Sequence, residues 1–341
     1  MKILEIVPLS LGGRMMPKKI VRSGWALALL AALVPGISAA TTLHDGVVVD
    51  FAKGAAYLAS PEGGIDAVQL STGNVIWKTR DAAKPLLVKD GALLAQGRPG
   101  PKGELTLVTL DTRQGAAKSR AEVALEGVRA NLKDGPSQTF RAEAFVAADK
   151  SVVVTWVAEE PTFRGMVPAP EDGLAPAKSA AVSAGKGRSS RGAVRVDMAQ
   201  GRAVPMAFEK AQSLEGPALA LRAEGIRVRG LGTTTRELTS LDGQHVLKSE
   251  RNPEGGLWTP YRWTVTDKSG RVIGTANAPV SLTPFLVSGT RILYMAMPSV
   301  RKEGDKIVDQ PLRLVSMDLL SGTDVWDSEV VDSNYRGPFP P

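Results

Sequence analysis

Short apolar runs of five to seven residues recur along the chain from Val47 onward. The first of them read VVVDF, AAYLAS, IDAVQL, NVIWK, PLLVKDG, ALLAQ and LTLVTLD. Gly, Asp-Gly and Ser-Gly turns separate the runs about every 8 to 12 residues, and no long segment has the 3.6-residue period of an amphipathic helix. The pattern predicts an all-β protein, for which a sandwich, a barrel and a radial array of small sheets are the architectures available at this size.

A motif that places a small residue, a polar residue, glycine and tryptophan at fixed spacing recurs along these runs. Its residues are Ala67, Gly73 and Trp77 in the first copy, Asp111 and Gly115 in the second, Asp197 and Gly201 in the third, and Ser316, Asp318, Gly322 and Trp326 in the last. The separations Gly73 to Gly115 and Gly201 to Gly243 are both 42 residues. A period of that length holds about one four-stranded sheet, so self-comparison favours the radial array.

The residue types of the motif are those that a turn at the end of a strand requires. A short polar side chain accepts hydrogen bonds from the N–H groups of the turn, and glycine supplies the positive φ that the turn needs. The tryptophan, four residues past the glycine, then lies on the returning strand, where its large apolar surface packs between sheets. The motif therefore predicts that Trp77 and Trp326 dock one sheet on the next.

The motif resembles the pyrroloquinoline-quinone-type propeller repeat, whose pattern is A-x-D-x-x-x-G-x-x-x-W. The resemblance covers most of the chain after residue 40, most closely in residues 55–79 and 290–328. It implies a β-propeller of four-stranded antiparallel blades. The sequence departs from the pattern at Gln69, where aspartate is usual, and at Ser119 and Pro205, where tryptophan is usual.

We expect about six blades, within a range of five to seven. Complete units are predicted at residues 44–79, 84–124, 138–208 with an insertion, 217–250 and 284–330. Residues 258–278 contain only one predicted hairpin, with the sequence YRWTVTDKSGRVIGTA. They therefore count as part of a further blade.

The first 40 residues predict a secretory signal peptide. Basic residues between positions 18 and 22 precede the apolar run WALALLAALV, and small residues at positions 38–40 follow it. Ten apolar residues span about 15 Å of helix, which is half of the hydrocarbon thickness that a membrane anchor must cross. A start at Met15 or Met16 would leave a signal peptide of ordinary length. We therefore expect a periplasmic or secreted protein with no membrane span in the mature chain.

Cleavage is expected directly after Ala40, because small residues stand at the two positions that a signal peptidase reads. N-terminal sequencing of secreted material should begin at Thr41. Material that keeps the apolar run at residues 25–34 and stays fixed in a membrane would contradict this expectation.

The mature chain is expected to be a propeller over residues 41–331. Residues 163–190 are rich in Pro, Ala, Gly and Ser and hold few large apolar side chains, so they predict a mobile insertion. Residues 332–341 predict a Pro-rich C-terminal tail, since proline cannot donate to a strand ladder.

Composition removes several classes of site. The chain of 341 residues has no cysteine, which excludes thiolate metal sites, cysteine nucleophiles, disulfides and lipid attachment to cysteine. Its two histidines, His44 and His245, show no metal-ligand spacing, and no catalytic motif is present, so we predict no catalytic, cofactor-binding or metal-binding residues. Without the first 40 residues the charge falls to 37 basic against 34 acidic side chains, which gives no support for nucleic-acid binding.

Three classes of function follow from the resemblance and the composition. The favoured class is a noncatalytic, monomeric extracytoplasmic propeller without a cofactor that binds a protein or peptide. The alternative is a hydrolase or lyase that acts on a carbohydrate or lactone on a propeller scaffold. A quinone-dependent dehydrogenase fits less well, because the enzymes that share this repeat are much longer and many use a vicinal cysteine pair.

Overall fold

The fold is known from a computed structural model that describes residues 40–97, 104–125, 139–159, 189–215, 235–256, 259–303 and 306–331. Most of the predicted signal peptide and insertion, and all of the predicted C-terminal tail at residues 332–341, lie outside these ranges. Ser189 and Ser190, at the end of the predicted insertion, belong to a strand. The described residues form the antiparallel blades of an all-β propeller, as the sequence predicts.

Each of the first three blades is a meander of neighbouring strands. Blade I contains β1 (Thr41–His44), β2 (Val47–Asp50), β3 (Ala55–Ala59), β4 (Ile65–Gln69) and β5 (Val75–Thr79). Blade II contains β6 (Lys84–Lys89), β7 (Ala92–Gln96), β8 (Leu105–Asp111) and β9 (Ala117–Val123). Blade III contains β10 (Thr139–Val146), β11 (Val152–Glu159), β12 (Ser189–Asp197) and β13 (Arg202–Met206), and the helix α1 (Phe208–Leu214) follows it.

Of the last two blades, blade IV differs from the predicted division of the chain, whereas blade V lies within the predicted unit 284–330. Blade IV contains β14 (Thr235–Thr239), β15 (His245–Arg251), β16 (Tyr261–Asp267) and β17 (Val272–Ala278). Blade V contains β18 (Phe285–Ser288), β19 (Arg291–Ala296), β22 (Arg313–Asp318) and β23 (Thr323–Glu329). A separate hairpin of β20 (Ser299–Glu303) and β21 (Lys306–Gln310) is inserted between β19 and β22.

The described part of the chain therefore holds five blades, the lower end of the expected range. The prediction that residues 217–250 form a complete unit is wrong, because β14 and β15 pair with the hairpin β16–β17 to make one blade. Residues 217–234 lie outside the described ranges.

The burial of the strands shows in which direction the chain runs through a blade. In blades I, II and V the strands β2, β6 and β18 are almost wholly buried. The last strands of these blades, β5, β9 and β23, are mostly exposed. The chain thus runs from the inner side of each of these blades to its outer edge. The strand β1 adds to the inner side of blade I, where Thr42 Oγ1 donates to Leu86 O at 3.3 Å and Asp45 pairs with Lys84 of blade II.

The core lies between neighbouring blades. Successive side chains of a strand point to opposite faces of the sheet, so Leu93 packs toward blade I and Leu94 toward blade III. Leu293 and Tyr294 divide in the same way between blade I and blade IV. On the face of blade III that points away from blade II, Ala211 of α1 covers part of the apolar surface.

Candidate functional site

The motif tryptophans of blades I and V lie against the turn of the next blade. Trp77 of blade I donates from Nε1 to Thr112 O of blade II at 2.9 Å. Trp326 of blade V donates from Nε1 to Leu70 O of blade I, also at 2.9 Å. Both rings are 8% exposed, and both accepting carbonyls lie three residues before the motif glycine. This geometry supports the docking role that the motif predicts for the two tryptophans.

Two departures from the motif, in blades II and IV, make the same kind of contact. Ser119 stands at the tryptophan position of blade II and donates from Oγ to Met198 O at 2.9 Å, three residues before Gly201. In blade IV the glycine at this position, Gly274, touches Leu319 of blade V, and the next N–H, of Thr275, donates to Leu319 O at 3.0 Å. The sequence pattern does not reveal Gly274, because the motif turn of blade IV is one residue shorter than those of the other blades.

The motif carboxylates accept hydrogen bonds from their turns. Asp318 Oδ1 accepts the N–H groups of Leu320 and Ser321 at 2.7 and 3.2 Å. Asp197 caps its turn in the same way. A bond from the Lys118 ammonium, followed by the Arg113 N–H, lowers the pKa of Asp111. The residues predicted at this position therefore stabilise turns.

Asp267 of blade IV provides a test of this capping. A hydrogen bond from the Ser269 hydroxyl, with further bonds from Ser269 and Arg271 N–H groups, lowers its pKa to about 2. Because the fold favours the charged form, its contribution to stability is complete above the unfolded pKa near 4 and is lost as the pH falls through about 2. Unfolding by urea should show this loss in the wild type and not in Asp267→Asn. The amide oxygen of Asn can accept the bonds that Oδ1 accepts, loses the bond from Arg271 Nε to Oδ2, and does not titrate. Parallel pH curves for the two proteins would contradict this assignment.

The outer edges of the blades are protected against pairing with another strand. In four of the blades the last strand contains a β-bulge with one extra residue. These residues are Ile76, Lys118, Ile273 and Val325. The last strand of the remaining blade, β13, contains Pro205, which has no N–H to donate. Bulges and proline twist or interrupt an edge ladder, so exposed valines on these strands do not create a continuous docking edge.

A cleft of about 360 Å³ opens between blade I and blade V, on the face of the propeller that carries the motif turns. We call it the closure cleft. Its lining residues are Phe51, Lys53, Gly54, Gln69, Leu70 and Ser71 from blade I and Ser288, Arg291, Leu293 and Ser316 from blade V. None of the residues predicted as motif positions was expected to form a binding site, yet Ser316 lies in its wall.

Polar groups in the closure cleft are incompletely partnered. Ser316 is fully buried and its Oγ has no hydrogen-bond partner. A buried hydroxyl without a partner costs about 1–3 kcal/mol. The Arg291 guanidinium donates across the cleft to Ser71 O, which engages one of its five N–H groups. Within the described part of the chain, Lys53 and Arg291 form no ion pair.

Leu293, in the wall of the closure cleft, has the register position that Tyr57 has in blade I. Tyr57 faces Ala67 in blade I, and Leu293 faces Ser316 at the same register in blade V. Tyr57 is fully buried against the Trp77 ring, with ring centroids 5.7 Å apart, and burial, followed by the nearby Asp50 carboxylate, raises its pKa to about 12. Leu293 is smaller than the Tyr57 ring, which packs at the junction of blades I and II.

The remaining described tryptophans and the two histidines lie in the core or in strands of the propeller. Trp156 and Trp263 are both buried in the core, and Trp258 lies outside the described ranges. His44 and His245 are half-buried in strands. Among the described residues, no three His, Cys, Asp or Glu side chains come together as a possible metal site. No described helix has the length and apolarity to cross a membrane.

Comparisons with known proteins give only distant structural likenesses. No protein-family model matches the chain, and neither does any curated protein. BamB from Moraxella catarrhalis is 14% identical over 80% of this chain and 70% of its own, with a TM-score of 0.24. The Cps50 (Swd1) β-propeller domain from Myceliophteria thermophila is 12% identical over 86% of this chain and 88% of its own, with a TM-score of 0.27.

A quinohemoprotein alcohol dehydrogenase from Comamonas testosteroni is 13% identical over 87% of this chain, with a TM-score of 0.26. This chain spans 44% of that enzyme's length. Likenesses at these TM-scores say nothing about activity, so the function must be argued from the closure cleft.

Proposed function

We propose that the mature protein is a noncatalytic, monomeric extracytoplasmic propeller that binds a protein or peptide partner at the closure cleft. The observation that carries this proposal is the buried Ser316 hydroxyl, which lies without a partner in a cleft that also presents the cations of Lys53 and Arg291. A cleft with an apolar wall and a few polar groups is the usual form of a recognition site.

The walls of the cleft are held rigidly. Trp326 fixes blade V on Leu70, and Arg291 joins the cleft rim to Ser71. A site whose walls are already fixed loses little conformational entropy on binding, and that favours affinity. The bulged outer edges, in contrast, give a partner strand no regular ladder to extend.

Site-specific photo-crosslinking tests where a partner binds. We expect a benzophenone side chain at Ser288, on the cleft rim, to give a discrete protein adduct in the native extracytoplasmic fraction. The matched control places the same group at Val325, which is 41% exposed on the bulged outer strand of the same blade. Equal adducts at both positions, or none at Ser288, would contradict binding at the cleft.

The noncatalytic part of the proposal has a separate assay. Reconstitution with pyrroloquinoline quinone and calcium, followed by measurement of alcohol oxidation, is expected to give no turnover. A reproducible rate that depends on the added quinone would instead support the dehydrogenase class.

A further inference from the structure

The closure cleft has an excess of hydrogen-bond donors over negative charge. Lys53 and Arg291 are both cations, and no carboxylate is among the ten residues that line the cleft. The motif position that is aspartate in the other four blades is Gln69 in blade I, on the cleft wall. The Gln69 side-chain oxygen accepts from Thr72 Oγ1 at 3.0 Å, so the turn is retained without a negative charge.

The carboxylates nearest in sequence to the cleft residues already bind backbone groups. Asp50 Oδ1 accepts the N–H of Lys53 at 3.1 Å. Asp318 is directly opposite Arg291 in the β19–β22 ladder, but its Oδ1 accepts two N–H groups of its own turn. Within the described part of the chain neither carboxylate forms an ion pair with Lys53 or Arg291, so both cations can bind an anion from outside the chain.

The same cleft also has an apolar wall. Phe51, Leu70 and Leu293 line it beside the donors. A volume of about 360 Å³ equals roughly a dozen water molecules at about 30 Å³ each, which suits one or two amino-acid residues. Bonds from Trp326 to Leu70 and from Arg291 to Ser71 join the two blades beside the cleft. A peptide can therefore enter from the face but does not pass between the blades.

We propose that the closure cleft binds the C-terminal residue of the partner protein. Lys53, Arg291 and the Ser316 hydroxyl bind the terminal carboxylate, and the apolar wall receives the terminal side chain. A chain end suits this cleft because it carries a carboxylate and a side chain on one Cα, whereas an internal acidic residue must also accommodate chain on both sides. The proposal rests on the proposed function and names the part of the partner that is recognised.

Labelled peptides provide the direct test. Fluorescein-Gly-Ser-Ala-Ala-Leu with a free carboxylate is expected to bind at least roughly tenfold tighter than its C-terminal amide, as measured by fluorescence anisotropy, because charge-assisted hydrogen bonds are the strong ones. Equal affinity of acid and amide would overturn the proposal. So would an amidated peptide with an internal glutamate, Gly-Ser-Ala-Glu-Leu, that binds as well as the free acid. Displacement by inorganic phosphate at equal concentration would show a general anion site and would also overturn it.

Variants of the full chain locate the binding. Arg291→Gln and Lys53→Gln should each weaken the free-acid peptide roughly tenfold and leave the amide unchanged. Lys268→Gln is the matched control, because Lys268 is exposed in the motif turn of blade IV, and it should have no effect. Ser316→Ala should weaken binding without lowering the thermal midpoint, since it removes a buried hydroxyl that has no partner. Unchanged peptide affinity in all three cleft variants would contradict the assignment.

Failure of this inference is distinguishable from failure of the proposed function. If the Ser288 crosslink to a protein persists while the free-acid peptide neither binds nor competes, a partner binds at the cleft through another part of its chain. If neither crosslink nor peptide binding occurs, the proposed function itself is wrong.

Discussion

Trp77→Ala and Trp326→Ala are each expected to lower the free energy of unfolding by about 3–5 kcal/mol, the range for truncation of a buried large aromatic side chain. Each ring is 8% exposed and lies between two blades, so little of the lost contact can be replaced by water or by collapse of one sheet alone. Each variant also leaves a buried carbonyl, of Thr112 or Leu70, without its indole donor. Equilibrium unfolding in urea measures the loss.

Two variants separate packing from hydrogen bonding in this experiment. Trp77→Phe keeps most of the apolar surface but removes the Nε1 donor, so it should cost less than the alanine variant, with about 1 kcal/mol of its cost due to the missing hydrogen bond. Ser119→Ala removes only the equivalent donor at the junction of blades II and III and should also cost about 1 kcal/mol. Alanine variants of Trp77 and Trp326 that unfold at the wild-type urea concentration would show that these rings do not hold the blades together.

The sequence was sufficient to predict the repeat because its signal is local. Spacing between glycine and tryptophan depends on one turn and one returning strand, and Trp77 and Trp326 therefore lie where the motif predicts. Blade IV was divided wrongly because its two hairpins are separated by residues 252–260 and its turn is one residue short. That shortening also hid Gly274, which makes the docking contact with its backbone.

The closure cleft was beyond prediction from the sequence because it depends on two distant parts of the chain. Lys53 and Arg291 are 238 positions apart and come together only when blade V packs on blade I. Gln69 was the one local signal, a neutral residue where the other blades have aspartate. Its importance is visible only beside the unpartnered Ser316 hydroxyl, which a pattern of residue types does not reveal.

The motif glycines offer the second large effect. Gly73 has a φ of +74° and Gly115 a φ of +71°, which L side chains rarely adopt. A Cβ added at Gly73 would lie 2.6 Å from Trp326 Cγ, and one at Gly115 would lie 2.5 Å from Trp77 Cε3. Gly73→Ala and Gly115→Ala should each cost about 2–4 kcal/mol, from the left-handed backbone and from the clash together. Gly243→Ala is the control, since its φ is +66° with nothing within 4 Å of the added Cβ, and it should cost about 1 kcal/mol.

A double-mutant cycle assigns the clash to one ring. In the Trp77→Ala background the ring that Gly115 meets is gone, so Gly115→Ala should cost only the backbone strain of about 1 kcal/mol, with a coupling energy of about 1–3 kcal/mol. Gly73→Ala in that same background should keep its full cost, because Gly73 meets Trp326 and not Trp77. Urea unfolding of the wild type, the three single variants and the two double variants measures both cycles. Additive costs for Trp77 and Gly115 would mean that the ring does not rest on the glycine, and equal coupling for both glycines would mean that each blade responds to the loss of any junction.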